Sequence, residues 1–297
     1  MSGIILNTKR FEIHDGPGMR TTLFLKGCPL RCKWCHNPES FKGVSELAFY
    51  AHKCINCGLC ATVCPSAAHT FESGIHTFNR EKCISCGKCA KICPKEALSL
   101  FGKRVEASEI LPELLEDKVF FDESGGGVTI SGGEPLMQPQ FVKELLMLLK
   151  ENGVGTALDT SLYASREALD TVLPYVDIFL IDIKAFDENL HKELTGVSNA
   201  TILENLRYID SLGKKYEIRI PFVPSENSGE IEKIAKFINT LKNADRVKLL
   251  AYHDLSRTKY AAVGMDYVMG DARVPSKDEY EAAFEILKAH GINAIHK

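Results

Sequence analysis

Eleven cysteines, at positions 28, 32, 35, 54, 57, 60, 64, 83, 86, 89 and 93, are the residues of this chain best suited to chemistry, and the remaining two thirds of it contain none. Cys28, Cys32 and Cys35 form a CxxxCxxC spacing within Gly27-Cys28-Pro29-Leu30-Arg31-Cys32-Lys33-Trp34-Cys35-His36-Asn37, directly after the apolar run Thr22-Leu23-Phe24-Leu25. A four-iron cubane needs a ligand on every iron, so three thiolates with no evident fourth leave one iron open to a ligand from outside the protein. Structural zinc is the competing reading, but such sites close with four ligands. Ligand count and geometry discriminate metals better than cysteine content does, and here they favour an open iron-sulfur site over zinc or free buried thiols.

The other eight cysteines fall in a twofold repeat. Cys54-Ile55-Asn56-Cys57-Gly58-Leu59-Cys60-Ala61-Thr62-Val63-Cys64-Pro65 and Cys83-Ile84-Ser85-Cys86-Gly87-Lys88-Cys89-Ala90-Lys91-Ile92-Cys93-Pro94 both read CxxCxxCxxxCP. This repeat resembles the bacterial two-cluster ferredoxin, in which the last cysteine of each run serves the other cluster. The resemblance implies one [4Fe-4S] cluster on Cys54, Cys57, Cys60 and Cys93 and a second on Cys83, Cys86, Cys89 and Cys64. Gly58, Gly87, Ala61 and Ala90 suit close approach of backbone N–H groups to the sulfur atoms. Two such clusters suggest a path for electrons; a purely structural role is the alternative, since bound metal also folds segments that lack a core.

Composition narrows the partners. The chain of 297 residues is 45% apolar and 25% charged with a formal net charge of -3, which suits one large core plus a small module. No apolar run is long enough to span a bilayer, and the first residues lack the apolar core of a secretion signal. No basic footprint for nucleic acid is evident, so the expected partners are proteins or small molecules, with neither nucleic acid nor membrane among them. Disulfide frameworks serve short secreted chains with small cores, so these cysteines point instead to clustered metal ligands in a reducing cytoplasm.

The elements that must position the cysteines follow from hydrophobic periodicity. Strands are expected at 21–26, 128–130, 155–159, 176–181, 216–221 and 247–251, separated by helices at 108–121, 139–151, 165–173, 199–211 and 229–241, with a last helix at 276–290 opened by the Ser276/Glu279 capping box. Residues 7–20 read as polar and turn-rich. Alternating strands and crossovers imply parallel strands covered by helices. Full barrels use eight units and place reactive residues on loops at the carboxyl ends of the strands, so six predict an incomplete barrel open on one side. The expected architecture is α/β, a partial (β/α)6 TIM-like barrel over 1–52 and 99–297, with an inserted ferredoxin-like α+β module over 53–98. The cysteine loop, Ser131-Gly132-Gly133-Glu134-Pro135, Asp159-Thr160-Ser161, Asp182-Ile183-Lys184, Arg219 and Tyr252-His253 then converge on one mouth.

These motifs, with Asp15-Gly16-Pro17-Gly18-Met19-Arg20, Cys35-His36-Asn37-Pro38-Glu39 and Lys259-Tyr260, resemble the radical S-adenosylmethionine superfamily, in particular its glycyl-radical enzyme activating enzymes of the longer type with a ferredoxin-like insertion. The resemblance implies that Cys28, Cys32 and Cys35 hold the cluster at which S-adenosylmethionine is reductively cleaved, and that the resulting 5'-deoxyadenosyl radical takes a Cα hydrogen from a glycine of a partner glycyl-radical enzyme. It implies cofactor contacts from Trp34, Gly132, Gly133, Glu134, Asp182, Lys184, Arg219 and His253, and a monovalent-cation site of Asp159, Thr160 and Asp182. It further implies three [4Fe-4S] clusters, a flavodoxin or ferredoxin-type electron donor, and a monomer when free. No classical acid-base pair is required, because the step is hydrogen-atom abstraction. Several residues keep a bland alternative: Trp34 as local packing, Arg219 as a buried ion pair, His253 as a core or rim residue, and Asp182 with Lys184 as an ordinary ion pair.

Two positions depart from the family pattern: Leu162 stands where glycine often follows the Asp-Thr-Ser segment, and Ser256 ends a Tyr-His-x-Leu run that commonly ends in glycine. They bear on loop shape and partner preference and leave every cluster ligand in place. Competing functions are a radical enzyme acting on a small molecule or another protein residue, and a non-enzymatic iron-sulfur electron carrier. The carrier explains the repeat but gives Cys28, Cys32 and Cys35 no task.

Overall fold

The computed structural model of the protein describes residues 1–270 and 272–295, with Asp245 described through its backbone alone. Its strands are β1 Ser2–Glu12, β2 Arg20–Leu25, β3 Glu46–Phe49, β4 His69–Glu72, β5 Ile75–Phe78, β6 Leu98–Phe101, β7 Lys103–Glu106, β8 Gly127–Gly132, β9 Gly155–Thr160, β10 Ile178–Asp182, β11 Tyr216–Phe222, β12 Ala244–Ala251 and β13 Ala294–Ile295. Nine of them form one sheet in the order β13-β12-β11-β10-β9-β8-β2-β1-β7, and β3·β6 and β4·β5 form two-stranded accessory sheets. From β2 to β12 the neighbours follow chain order and pair in parallel, as a singly wound partial barrel requires. All carboxyl ends of these strands therefore face the same way.

The core explains the winding. Strand residues such as Leu23, Val128, Ile130, Leu158, Phe179, Ile181, Ile218 and Leu249 pack with Leu145, Leu146, Leu169, Leu206, Ile234 and Leu287 from the helices in one buried cluster. The helix Pro139–Glu151 is typical: Pro139 opens it, where a missing N–H costs nothing, and Phe141, Val142, Leu145, Leu146 and Leu149 make its buried stripe.

Differences from the expected elements have local causes. β1 reaches Glu12 and pairs antiparallel with β2 and β7, so the turn-rich stretch is shorter than its polar sequence predicts. The expected helix at 108–121 is two helices, Ala107–Leu115 and Lys118–Ser124. Between them the buried Asp117 accepts hydrogen bonds from Thr21 Oγ1 at 2.7 Å and Arg10 Nε at 2.8 Å, which ties the break to β1 and β2. A further helix, Glu188–Thr195, follows β10; Asp187 caps it by accepting from Leu190 N at 2.9 Å, and Gly196 closes it at φ 81°.

Leu162 carries the backbone that glycine would supply, at φ 61°. Left-handed geometry costs a branched residue roughly 1–2 kcal/mol. The side chain is fully buried, which returns about 1.5–3 kcal/mol, and Leu162 N donates to Thr160 Oγ1 at 2.9 Å. The departure thus preserves the loop. Ser256 sits at φ -87°, where glycine has no advantage. In denaturant unfolding, Leu162→Ala is expected to lose about 2–4 kcal/mol, because it keeps the strain and loses the packing. Leu162→Gly, which also releases the strain, should be no worse.

Candidate active site

The cysteine loop is held from three sides. Gly133 N donates to Leu25 O and Glu134 N to Gly27 O, both at 2.8 Å, so the turn after β8 is bonded to the strand end that launches the loop. A Cβ on Gly133 would lie 2.3 Å from Gly27 O, a clash no side-chain rotation relieves. On the second side, Arg31 N donates to Thr195 O at 2.7 Å and Lys33 N to Leu194 O at 3.0 Å, using carbonyls left free at the end of the helix Glu188–Thr195. On the third, Lys259 Nζ donates to His36 O at 3.0 Å, Asn37 Oδ1 at 3.0 Å and Glu39 Oε1 at 2.7 Å. This last clamp accounts for the co-occurrence of Cys35-His36-Asn37-Pro38-Glu39 with Lys259.

A cavity of about 220 Å³ opens over the loop. Its walls include Cys28, Cys32, Cys35, Trp34, Gly132, Gly133, Asp159, Thr160, Asp182, Lys184 and Tyr252, so all the expected segments except that of Arg219 meet there. Burial pushes the Cys28 thiol up to about 12, and also raises Cys32 and Cys35, so a bound metal must drive their deprotonation. Among the described residues, the one set of three or more His, Cys, Asp or Glu ligand atoms lying mutually within 4.8 Å is Cys60, His69 and His76. Cys28, Cys32 and Cys35 all line this cavity, and three thiolates are the number that would leave one iron of a four-iron cubane open.

Three expected contacts stand outside that lining. Glu134 is fully buried: Thr160 Oγ1 at 2.6 Å, Leu136 N at 3.0 Å, and Ser161 N and Oγ at 2.8 and 2.6 Å all donate to its carboxylate. Its role here is to fasten the turn after β8 to the end of β9. Arg219 and His253 line a second pocket that shares His36, Ser131, Asp159 and Leu250 with the first. His253 stacks on His36 with ring centroids 3.8 Å apart and planes 8° apart. Trp34 is buried against Ala185, Leu194, Val223, Tyr252 and Met269, so it packs as well as lining the cavity.

Charge at the mouth is paired. Lys184 Nζ lies 2.7 Å from Asp182 Oδ2; burial opposes the ammonium, but Asp182 and Cys32 outweigh it and hold the lysine above its ordinary value. Arg219 lies 3.6 Å from both Asp15 and Asp159, 3.3 Å from Glu217, and donates to His14 O at 2.7 Å. Burial pushes Asp159 up to about 6, against the pull of Arg219. The two carboxylates expected to hold a monovalent cation already have cationic partners, Asp159 in Arg219 and Asp182 in Lys184.

In the cysteine repeat both halves share one backbone. Asn56 and Ser85 (φ 56° and 52°), Gly58 and Gly87 (81° and 73°), and Ala67 and Glu96 (50° and 49°) are left-handed at matching positions. Cys54, Cys57, Cys60 and Cys93 line one pocket. Burial raises Cys89 to about 11, with Cys83 and Cys64 adding to the effect. Backbone N–H groups point at sulfur in pairs: Asn56 to Cys54 and Ser85 to Cys83 at 3.4 Å, Ala68 to Cys64 at 3.2 Å and Ala97 to Cys93 at 3.3 Å. Donors aimed at sulfur suit thiolate ligands. No cysteine among the described residues is in a disulfide.

Sequence reasoning missed Asn227, which is fully buried and donates from Nδ2 to Lys184 O at 3.0 Å and Pro221 O at 2.6 Å while accepting from Val223 N at 2.9 Å, locking the ends of β10 and β11 together. It also missed His69 and His76, half of whose meaning lies in the fold of the hairpin β4·β5. Nothing in the local sequence marks any of these three.

A partial barrel with three spaced cysteines after its first parallel strand defines a radical S-adenosylmethionine protein, and the family model for the radical SAM superfamily matches residues 22–238. The (2S)-3-sulfopropanediol dehydratase activating enzyme of Klebsiella oxytoca is 42% identical over 305 residues, covering 99% of this chain and 96% of its own. The trans-4-hydroxy-L-proline dehydratase activating enzyme of Clostridioides difficile is 38% identical, covering 99% and 98%. The choline trimethylamine-lyase activating enzyme of Oleidesulfovibrio alaskensis is 39% identical, covering 89% and 88%. Among solved structures, a domain of pyruvate-formate lyase-activating enzyme from Bacteroides vulgatus superimposes with a TM-score of 0.50 at 31% identity, covering 58% of this chain and 99% of that one. The chain belongs to the glycyl-radical enzyme activating enzymes of the radical SAM superfamily.

Removing the central charge tests the network. Arg219→Met leaves Asp15, Asp159 and Glu217 without their shared partner and is expected to cost about 3–5 kcal/mol in denaturant unfolding, the range for breaking a buried pair. Arg219→Lys should cost less.

Proposed function

We propose that this chain abstracts a Cα hydrogen from a glycine of a partner glycyl-radical enzyme, and that it does so with three [4Fe-4S] clusters. The supporting observation is the single cavity that gathers Cys28, Cys32 and Cys35 with the Gly132–Gly133 turn and the Asp182–Lys184 pair. Cys28, Cys32 and Cys35 hold the first cluster, which when bound supplies the electron that cleaves the sulfonium C–S bond of S-adenosylmethionine into methionine and a 5'-deoxyadenosyl radical.

The remaining tasks fall to the chain. The Gly132–Gly133 backbone flanks the methionine part of S-adenosylmethionine, and Lys184, kept protonated by Asp182, meets its carboxylate. Trp34 and the apolar wall around it keep water from the radical's path. The neighbouring pocket, between Arg219, His36 and His253, receives the glycine-bearing loop. There the 5'-deoxyadenosyl radical takes one hydrogen atom and becomes 5'-deoxyadenosine, and the radical passes to the glycine.

The segment 53–98 is proposed as the ferredoxin-like unit, flanked by the β3·β6 ladder, with its clusters on Cys54, Cys57, Cys60, Cys93 and on Cys83, Cys86, Cys89, Cys64. It accepts electrons from a flavodoxin or ferredoxin-type donor in the cytoplasm, and the chain works as a monomer until it meets its partner. Among the described residues no helix is long and apolar enough to cross a membrane.

The test combines the anaerobically loaded, reduced protein with S-adenosylmethionine and candidate glycyl-radical partners. A glycine-centred EPR doublet in the partner, with 5'-deoxyadenosine formed in step, is the expected outcome. Cys28→Ala, Cys32→Ala and Cys35→Ala should each abolish both signals. Cleavage without any partner radical would redirect the reading to a small-molecule substrate.

A further inference from the structure

The two halves of the cysteine repeat are alike in backbone and unlike in one pair of side chains. His69 on β4 and His76 on β5 are 4% and 8% exposed. His76 Nδ1 lies 3.4 Å from Cys54 Sγ, its Nε2 lies 3.7 Å from Cys60 Sγ, and that same Nε2 lies 2.9 Å from His69 Nδ1. Phe71 stacks on the His76 ring at 4.8 Å and Phe49 meets it edge-on at 4.5 Å, so its orientation is fixed.

The pseudo-symmetric positions carry no such group. His69 follows Cys64 by the same interval as Leu98 follows Cys93. The ladder β4·β5 sets Phe71 opposite His76, while β3·β6 sets Leu100 opposite Leu47. His76 and His69 therefore correspond to Leu47 and Leu98, and the second set of cysteines has leucine where the first has imidazole.

Hydrogen-bond direction follows from the acceptor. A ligating thiolate sulfur only accepts, so Nδ1 of His76 carries its hydrogen toward Cys54, Nε2 accepts from His69 Nδ1–H, and His69 Nε2 is left as a buried acceptor with no partner in the described structure. A donor to ligand sulfur stabilises the cluster more when it holds the extra electron, which raises its potential.

We propose that His76, oriented by His69, is a positioning donor that makes the cluster of Cys54, Cys57, Cys60 and Cys93 the more easily reduced of the two in the repeat. An electron entering the module settles there first. This rests on the two-cluster reading above, and the experiment separates the two.

In the full-length, anaerobically loaded protein, iron and acid-labile sulfide are counted and the clusters are titrated by EPR against potential, the S-adenosylmethionine cluster being recognised by its spectral change on adding that cosubstrate. His76→Leu is expected to shift one auxiliary reduction equilibrium about tenfold toward the oxidised form, about 59 mV for a one-electron couple, and to leave the other unmoved. His76→Asn, which keeps a donor near the Nδ1 position, should recover most of the shift. His69→Leu, which removes only the second link, should give a smaller shift of the same sign. Full iron with unmoved potentials in His69→Leu and in whichever His76 variant loads overturns the inference. Zinc in stoichiometric amount, lost on His69→Leu, overturns it in favour of a Cys60–His69–His76 ion site. Absence of auxiliary iron in the wild-type chain overturns the two-cluster reading itself.

Discussion

Everything at the mouth of this barrel depends on a backbone contact, the approach of Gly133 to the Gly27 carbonyl. A Cβ would stand 2.3 Å from that oxygen, while Glu134 N donates to it at 2.8 Å. This contact joins the Gly132–Gly133 turn to the loop that carries Cys28, Cys32 and Cys35, and it joins them through main chain rather than flexible side chains. Glu134 extends the connection: its buried carboxylate accepts from Thr160 and Ser161, so the ends of β2, β8 and β9 are tied together. Glu134, expected as a cosubstrate contact, also fastens in place the residues that line the cavity.

Electrostatics at the same end follow from burial. Arg219 sits among Asp15, Asp159 and Glu217, and Lys184 against Asp182. Buried charges of this kind add little to stability over apolar replacements, yet are costly to unpair. Lys184 stays protonated because Asp182 and Cys32 overcome its desolvation. Arg219 and Lys184 already pair with Asp159 and Asp182, the carboxylates that the sequence pattern offers to an added cation.

Much of this was legible in the sequence where the signal is periodic or chemical. Pro139–Glu151 matches its expected span, and the six parallel strands fall within a few residues of theirs, because apolar spacing reports burial directly. The spacing of Cys28, Cys32 and Cys35 and the repeat at 54–93 point to metal chemistry because few other tasks need thiols in that pattern. What escaped depends on distant partners. The break at Asp117 is set by Thr21 and Arg10, the helix Glu188–Thr195 is recognisable by its ends but useful only once the cysteine loop bonds to it, and Lys259 reaches Glu39 across 220 positions. Asn227, His69 and His76 are ordinary residues until the fold closes around them. Leu162 shows the reverse case, in which an unfamiliar residue leaves the loop unchanged because burial outweighs strain.

The cluster proposed on Cys28, Cys32 and Cys35 would have one iron that the protein leaves free for S-adenosylmethionine. Electron-nuclear double resonance on the reduced protein, with the cosubstrate labelled by ¹⁵N at its amino group and ¹⁷O at its carboxylate, tests this most directly. Hyperfine coupling from both labels is expected, and its loss when any of the three cysteines is replaced by alanine. Absence of coupling in a fully loaded, cosubstrate-saturated sample would contradict it.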